Sequence, residues 1–230
     1  MNGVLLLRKI AGRYSHCYKL FSSIAFLLGR NNGLIRGGVR KNLQLDNNGF
    51  CRKCCFSISG THTLITIGKG TYLEDCSFHI EGNYCKVVIG EGCTLRGVEF
   101  WIEDDSGTIR IGKATKSFGN TQLASIEGQT ISIGDACLLA KGIQVRVGDS
   151  HSIFCVKNHQ RINCSKGVII GNHVWIGEQV TILKGVNIGE NSVIGTGAIV
   201  TANIPKNTIA AGVPAKIVKE NITWDIQRIN

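Results

Sequence analysis

The chain has 230 residues, of which 43% are hydrophobic and 18% charged, and a net charge of +10. This composition suits a folded chain with a filled core and excludes a disordered one. The charge is uneven: residues 1–41 hold eight Lys or Arg and no acid, so the remainder is close to neutral, and no base-reading or base-stacking motif points to nucleic acid as a partner.

Residues 4–29 are predicted to be helical. Leu7, Ile10, Tyr14, Cys17, Phe21, Ile24 and Leu28 step by three and four, which gives one apolar stripe between basic flanks. Such a helix can close the end of a stack of strands, a general need of solenoids. It can also lie on an anionic membrane surface as a basic amphipathic helix. No apolar run reaches membrane-spanning length. Residues 20–28 have the apolar character of a signal core, but no small-residue cleavage site follows. The stretch 1–44 is therefore set apart as a basic amphipathic N-terminal segment.

From Leu45 onward a long repeat appears. Ile-Gly recurs at Ile67, Ile89, Ile111 and Ile133, each 22 residues after the last, and Leu45-Asp46 is a degenerate earlier copy. Three hexads make 18, so each unit carries four extra residues, which fall near 81–86 and 104–108. They are expected to bulge at one corner of a three-sided stack. Ten cysteines are spread through the chain. Cys93 and Cys137 occupy a slot filled later by valine and read as small core side chains. Cys51, Cys54 and Cys55 suggest half a zinc site, but no second pair follows at zinc spacing.

The register then breaks. Ile133 and Ile170 are 37 residues apart, and the excess of 15 lies within 148–167. One long loop interrupting a regular repeat is where function tends to reside. It holds His151 and His159. His151 follows Asp149 by two residues; an imidazole can act as a general base near neutral pH, and a nearby carboxylate can orient its ring.

Residues 170–205 read in sixes, opened by Ile170, Ile176, Ile182, Ile188, Ile194 and Val200, with Val174, Val180, Val186, Ser192 and Ala198 in the fifth slot. A six-residue period with glycine in the second slot marks a parallel β-helix. The fold class is thus an all-β solenoid over 45–217. Residues 218–230 form a tail in which Trp224 and Ile226 are expected to lie on a short terminal helix.

Several stretches give a more specific resemblance. Gly148-Asp-Ser-His, Gly171-Asn-His-Val-Trp-Ile-Gly, Ile194-Gly-Thr-Gly-Ala-Ile-Val-Thr and Ala210-Ala-Gly-Val-Pro-Ala-Lys are similar to the hexapeptide-repeat acyltransferases. The branch is that of galactoside, maltose and chloramphenicol acetyltransferases and of capsule or O-antigen O-acetyltransferases. The closest motifs cover 131–220. The resemblance implies a left-handed coil, an exception to the usual right-handed crossover. It also implies a homotrimer with active sites between neighbouring subunits, and acetyl-CoA as co-substrate without a required metal. His151 matches the catalytic base, with Asp149 beside it. The backbone N–H of Glu178 matches the oxyanion donor. Trp175, Gly177, Gly195, Thr196, Gly197, Ala198 and Thr201 match positions along the CoA path, and Lys216 and Lys219 match basic positions near its phosphates. Ala202 replaces a lysine common in the family, and His-Ser-Ile replaces a common His-Pro.

The acceptor implied is a sugar hydroxyl in surface-polysaccharide synthesis, with the enzyme in the cytoplasm or held peripherally at the inner membrane by residues 4–29. Three other readings remain at this point. One is N-acetylation of a nucleotide-linked amino sugar. Another is a γ-carbonic-anhydrase-like zinc enzyme, whose histidine spacing His151, His159 and His173 lack. The third is a non-catalytic scaffold. His159 and His173 read as ordinary loop and turn residues.

Overall fold

The computed structural model describes residues 34–36 and 43–227, and the helix predicted over 4–29 lies outside them. Every regular element among the described residues is a β-strand. The strands wind as successive coils into a three-sided prism in which each coil adds one short strand to each face, a parallel β-helix as the hexads predict.

The first face is formed by Leu43–Asn47, Thr63–Ile67, Lys86–Ile89, Thr108–Ile111, Thr130–Ile133, Val168–Ile170 and Asn187–Ile188, all parallel. The second contains Phe50–Arg52, Tyr72–Glu74, 94–96, 116–118, Leu138–Leu139, Trp175–Ile176, Val193–Ile194 and Thr208–Ala211. The third runs through Leu34–Arg36, Cys55–Ile58, Ser77–Ile80, 99–102, 122–125, Gln144–Arg146, Thr181–Ile182 and Ile199–Val200.

Equivalent inward residues stack into ladders. On the first face Ile67, Ile89, Ile111, Ile133, Ile170 and Ile188 lie in register and are buried. On the third face the rings of Phe56, Phe78 and Phe100 stack at 4.5 and 4.6 Å. Leu123, Val145, Ile182 and Val200 continue that row. Three of the 22-residue coils enclose a phenylalanine of this row, the 22-residue coil from Ile111 to Ile133 encloses Leu123 in its place, and the 18-residue coil from Ile170 to Ile188 encloses only aliphatic side chains. The four extra residues fall at the edge between the third and first faces, as expected.

That edge is secured by side chains from the following coil. Asn83 Oδ1 accepts the N–H of Thr61 at 2.9 Å, and Asp105 Oδ1 accepts that of Asn83 at 2.7 Å. Cysteines occupy other inner corners. The thiols of Cys93 and Cys137 donate to the carbonyls of Gly112 and Gly171 in the next coil at 2.9 and 3.2 Å. Burial raises both thiol pKa values, that of Cys137 to about 11, so these are protonated core groups and not nucleophiles. Cys51 and Cys54 are buried in the same core.

Two boundaries differ from the expectation. The solenoid begins before residue 45, since Leu34–Arg36 and Leu43–Asn47 are already paired strands. The short C-terminal helix is absent from the described part of the tail. Lys216–Glu220 is a strand that turns back antiparallel on Thr208–Ala211 and covers the last edge of the second face. Residues 221–224 then run back along the prism: Ile222 N–H donates to Asn207 O at 3.0 Å, and Thr223 Oγ1 donates to Asn191 Oδ1 at 2.9 Å. Trp224 lies flat on His173, centroids 4.2 Å apart, and its Nε1 donates to His173 O at 2.8 Å. Ile217, Val218, Ile222 and Thr223 are β-branched, and Asn191 and Asn207 offer Ile222 and Thr223 hydrogen bonds that a helix would forgo.

Phe78 is the middle ring of the stack, so Phe78→Ala should destabilise the fold by about 3–5 kcal/mol. Val156→Ala, at a side chain 89% exposed, should change stability by less than about 0.5 kcal/mol. Denaturant midpoints of the two variants test the contrast.

Candidate functional site

The long excursion 148–167 leaves the prism at the same edge that carries the four-residue bulges, between Gln144–Arg146 and Val168–Ile170. It is an arm folded on itself. Phe154 and Arg161 form an antiparallel bridge, the N–H of Cys155 donates to Gln160 O at 2.8 Å, and that of Ile162 to Ile153 O at 2.9 Å. His159 sits at its tip in the left-handed region, φ 55°, exposed.

Asn163 is the hub of the arm and is only 6% exposed. Its Oδ1 accepts the N–H of Ile153 at 2.8 Å and Arg161 Nε–H at 3.2 Å. Its Nδ2 donates to Asp149 Oδ2 at 2.9 Å and to His151 O at 2.8 Å. The amide is therefore fully used, as a buried polar group must be. Two ion pairs fasten the arm to neighbouring coils: Lys184 with Asp149, and Arg161 with Glu127. Glu127 also accepts the N–H of Ser165 at 3.1 Å. The Lys184 ammonium and the Asn163 amide hold the Asp149 carboxyl below its ordinary pKa. Arg161 and Ser165 do the same for Glu127.

His151 stands in this frame with its backbone carbonyl held and its side chain exposed. Its ring has no hydrogen-bond partner among the described residues. The expectation that Asp149 orients the imidazole is therefore corrected. That carboxylate is engaged by Lys184 and Asn163, and it positions the loop, not the ring.

The other predicted residues gather elsewhere. Gly177, Glu178, Gly195, Thr196 and Gly197 form the edge between the second and third faces. A Cβ on Gly177 would come within 2.7 Å of Thr196 N, so the coils approach here more closely than a side chain allows. Gly177 N–H donates to Ile194 O, Gln179 N–H to Lys141 O, and Gly197 N–H to Glu178 O, at 2.8, 2.9 and 2.8 Å. The N–H groups of Glu178 and Thr196 have no partner among the described residues and lie on an exposed turn. Above Gly197 the surface is open: a Cβ there would meet nothing within 4 Å. Ala198 does not belong to this surface: its methyl is fully buried in the core, and its backbone is bonded to Gly195 and Thr181. Trp175 projects from the second face, 40% exposed, with Trp224 tilted beside it at 6.0 Å. Thr201, Lys216 and Lys219 are exposed. His173 is a structural anchor, its Nδ1 2.8 Å from Asn191 Oδ1 and its ring under Trp224.

The set is thus divided between two edges of the third face. Residues 178–184 span that face, a run of at most roughly 20 Å. Sequence reasoning missed the residues that hold the arm: Asn163, Arg161, Glu127 and Lys184. Their partners lie as many as 38 positions away along the chain, and no local pattern marks them.

This architecture, a β-helix of hexads broken by one anchored loop, recurs in known transferases. Residues 167–202 match the bacterial transferase hexapeptide model of six repeats. The polysialic acid O-acetyltransferase of Neisseria meningitidis is 41% identical over 113 residues, 49% of this chain and 53% of that protein. The galactoside O-acetyltransferase of Escherichia coli K12 is 41% identical over 103 residues, 45% of this chain and 50% of that protein. The chain thus spans about half the length of these curated relatives. The crystal structure of the polysialic acid O-acetyltransferase OatWY superposes with a TM-score of 0.72 at 32% identity, covering 86% of this chain and 90% of that one. The chain belongs to the bacterial hexapeptide-repeat transferase family.

The two anchoring carboxylates give the arm a pH dependence. Their folded-state pKa values are depressed, so their contribution is full above the ordinary carboxylate range and is lost as pH falls through the depressed values. Proteolysis or amide exchange within 148–167 should accelerate below about pH 4. Asn163→Leu should produce the same local opening at neutral pH, with the coils on either side still protected.

Proposed function

We propose that the chain transfers an acetyl group from acetyl-CoA to a sugar hydroxyl of a surface polysaccharide, with His151 as general base. The observation that carries this reading is the imidazole of His151, exposed and without a side-chain partner among the described residues, on a loop held by Asn163 at the His151 carbonyl and the Ile153 N–H. A base in that condition can accept a proton without giving up a bond to another side chain. The names of the relatives support the reaction class: the three described above are named O-acetyltransferases, and two of those names specify polysialic acid.

The residues present suit the donor. The edge of Gly177, Gly195 and Gly197 is open to an extended chain, and the free N–H groups of Glu178 and Thr196 can pair with it. Lys216 and Lys219 carry point charges suited to phosphates. Acetyl-CoA, when bound, supplies the activated acyl group as a thioester. His151 takes the proton from the acceptor hydroxyl as its oxygen turns on the carbonyl carbon, and returns it to the sulfur that leaves. The Glu178 N–H donates to the carbonyl oxygen as negative charge gathers on it. Within one copy, base and donor stand on opposite edges of a face. We therefore assign the complete site to two copies of the chain, with the loop of one against the 177–197 edge of the next.

His151→Ala should lower turnover about 10²–10⁴-fold, with CoA binding and the melting temperature retained; thiol release with sugar acceptors is the readout. Retained turnover would remove the base from the scheme. The role of the Glu178 N–H has a separate test. Gln179 has φ 57°, so Glu178 holds the second position of a turn that accepts proline. Glu178→Pro should keep the fold and lower kcat about 10²–10³-fold, while Glu178→Ala leaves it near wild type.

A further inference from the structure

The outer surface of the third face carries an arrangement that the reaction scheme does not use. One outward column runs His79, Trp101, Ala124, Arg146, in register across four coils. The His79 ring lies on one face of the Trp101 indole, centroids 4.0 Å apart. On the other face the next residue is only Ala124, and beyond it stands Arg146. Trp101 and Arg146 are two strand spacings apart, about 10 Å. Between them a recess of about 200 Å³ is lined by Trp101, Glu103, Gln122, Ala124, Arg146 and Ser150. Ser150, on its wall, immediately precedes His151, the base of the proposed reaction.

Its polar groups are held in place. Trp101 Nε1 donates to Glu103 Oε1 at 2.8 Å, which fixes the indole plane. Gln122 Nε2 donates to Glu99 Oε2 at 2.8 Å, and Gln122 Oε1 accepts from Arg146 at 3.1 Å. Gln144 Oε1 accepts Arg146 Nε–H at 3.3 Å. The guanidinium is thus oriented by two neutral amide oxygens, and among the described residues no carboxylate pairs with it. A fixed, uncompensated arginine facing an aromatic plane across a gap one sugar ring wide is a receptor for a ring that bears an anion.

We propose that this recess is the acceptor subsite and that it selects a carboxylate-bearing sugar unit. The ring's apolar face rests on Trp101, its carboxylate on Arg146, and its hydroxyl side is turned toward Glu103, which would repel the acid from the opposite end. Ala124 leaves the room. The proposal rests on the acetyl-transfer reading given above for the identity of the reaction, but the binding site stands on its own geometry.

The test combines equilibrium titration with initial rates, using oligosialic acid and maltohexaose as acidic and neutral probes. Trp101→Ala, Arg146→Gln and Ala124→Leu are compared with the wild-type chain, and thermal midpoints verify folding. The wild type should bind the acidic probe more tightly. Trp101→Ala and Ala124→Leu should weaken it at least about tenfold, and Arg146→Gln should abolish the preference for acid over neutral. In turnover the change should appear in KM for the sugar and not in KM for acetyl-CoA. If folded variants keep the wild-type affinity and KM, the recess is not the acceptor site and the acetyl-transfer reading stands. If no sugar is acetylated yet the variants lose affinity for the acidic probe, the transfer reading falls and the subsite stands. Absence of both binding and transfer overturns both.

Discussion

The molecule depends on one constraint: parallel strands locked in register, so that each inward side chain lies on its equivalent one coil away. Register cannot slip, because a shift of one residue would turn every buried aliphatic outward. The phenylalanine row 56–78–100 and the isoleucine row 67–89–111–133 exert that constraint on two faces at once. The inner rows stay continuous although the coils shorten from 22 residues to 18, because the residues lost belong to the outer edge and not to the rows.

A rigid prism of this kind is a scaffold with three edges and three outer faces, and the chemistry is distributed over them. One edge tolerates insertions, because its turns are capped by side chains of the next coil and not by core packing. The bulges of the early coils and the arm 148–167 all leave there. The neighbouring edge is tighter in the late coils, where a Cβ on Gly177 would come within 2.7 Å of Thr196 N and one on Gly195 within 2.9 Å of the Ala211 methyl, while Gly197 opens to solvent. A loop that can carry a base and an edge that must expose backbone N–H groups are thus direct consequences of where each corner is crowded.

The arm shows how a surface loop is made precise. A single buried amide, Asn163, is bonded to the His151 carbonyl, to the Ile153 N–H and to the Asp149 carboxylate, while Lys184 and Arg161 tie the arm to two different coils. Asp149 serves this frame and not the imidazole. The third face, lying between the arm and the glycine edge, adds Trp101 and Arg146 at a spacing set only by strand separation. Positions that are 45 residues apart in the chain become two rungs of one ladder.

The solenoid, its repeat lengths, the corner that bulges and the loop that departs from it were all legible in the amino-acid order, because each coil meets only its neighbours and so repeats its pattern locally. The inward cysteines were legible for the same reason. Motif resemblance singled out His151 and the glycine edge. What only the folded chain decided were relations between coils: the partners of Asp149, the burial of Ala198, the tail folding as a strand and a tryptophan lid on His173, and the recess between Trp101 and Arg146. These depend on side chains brought together by winding, across separations for which a linear pattern has no period.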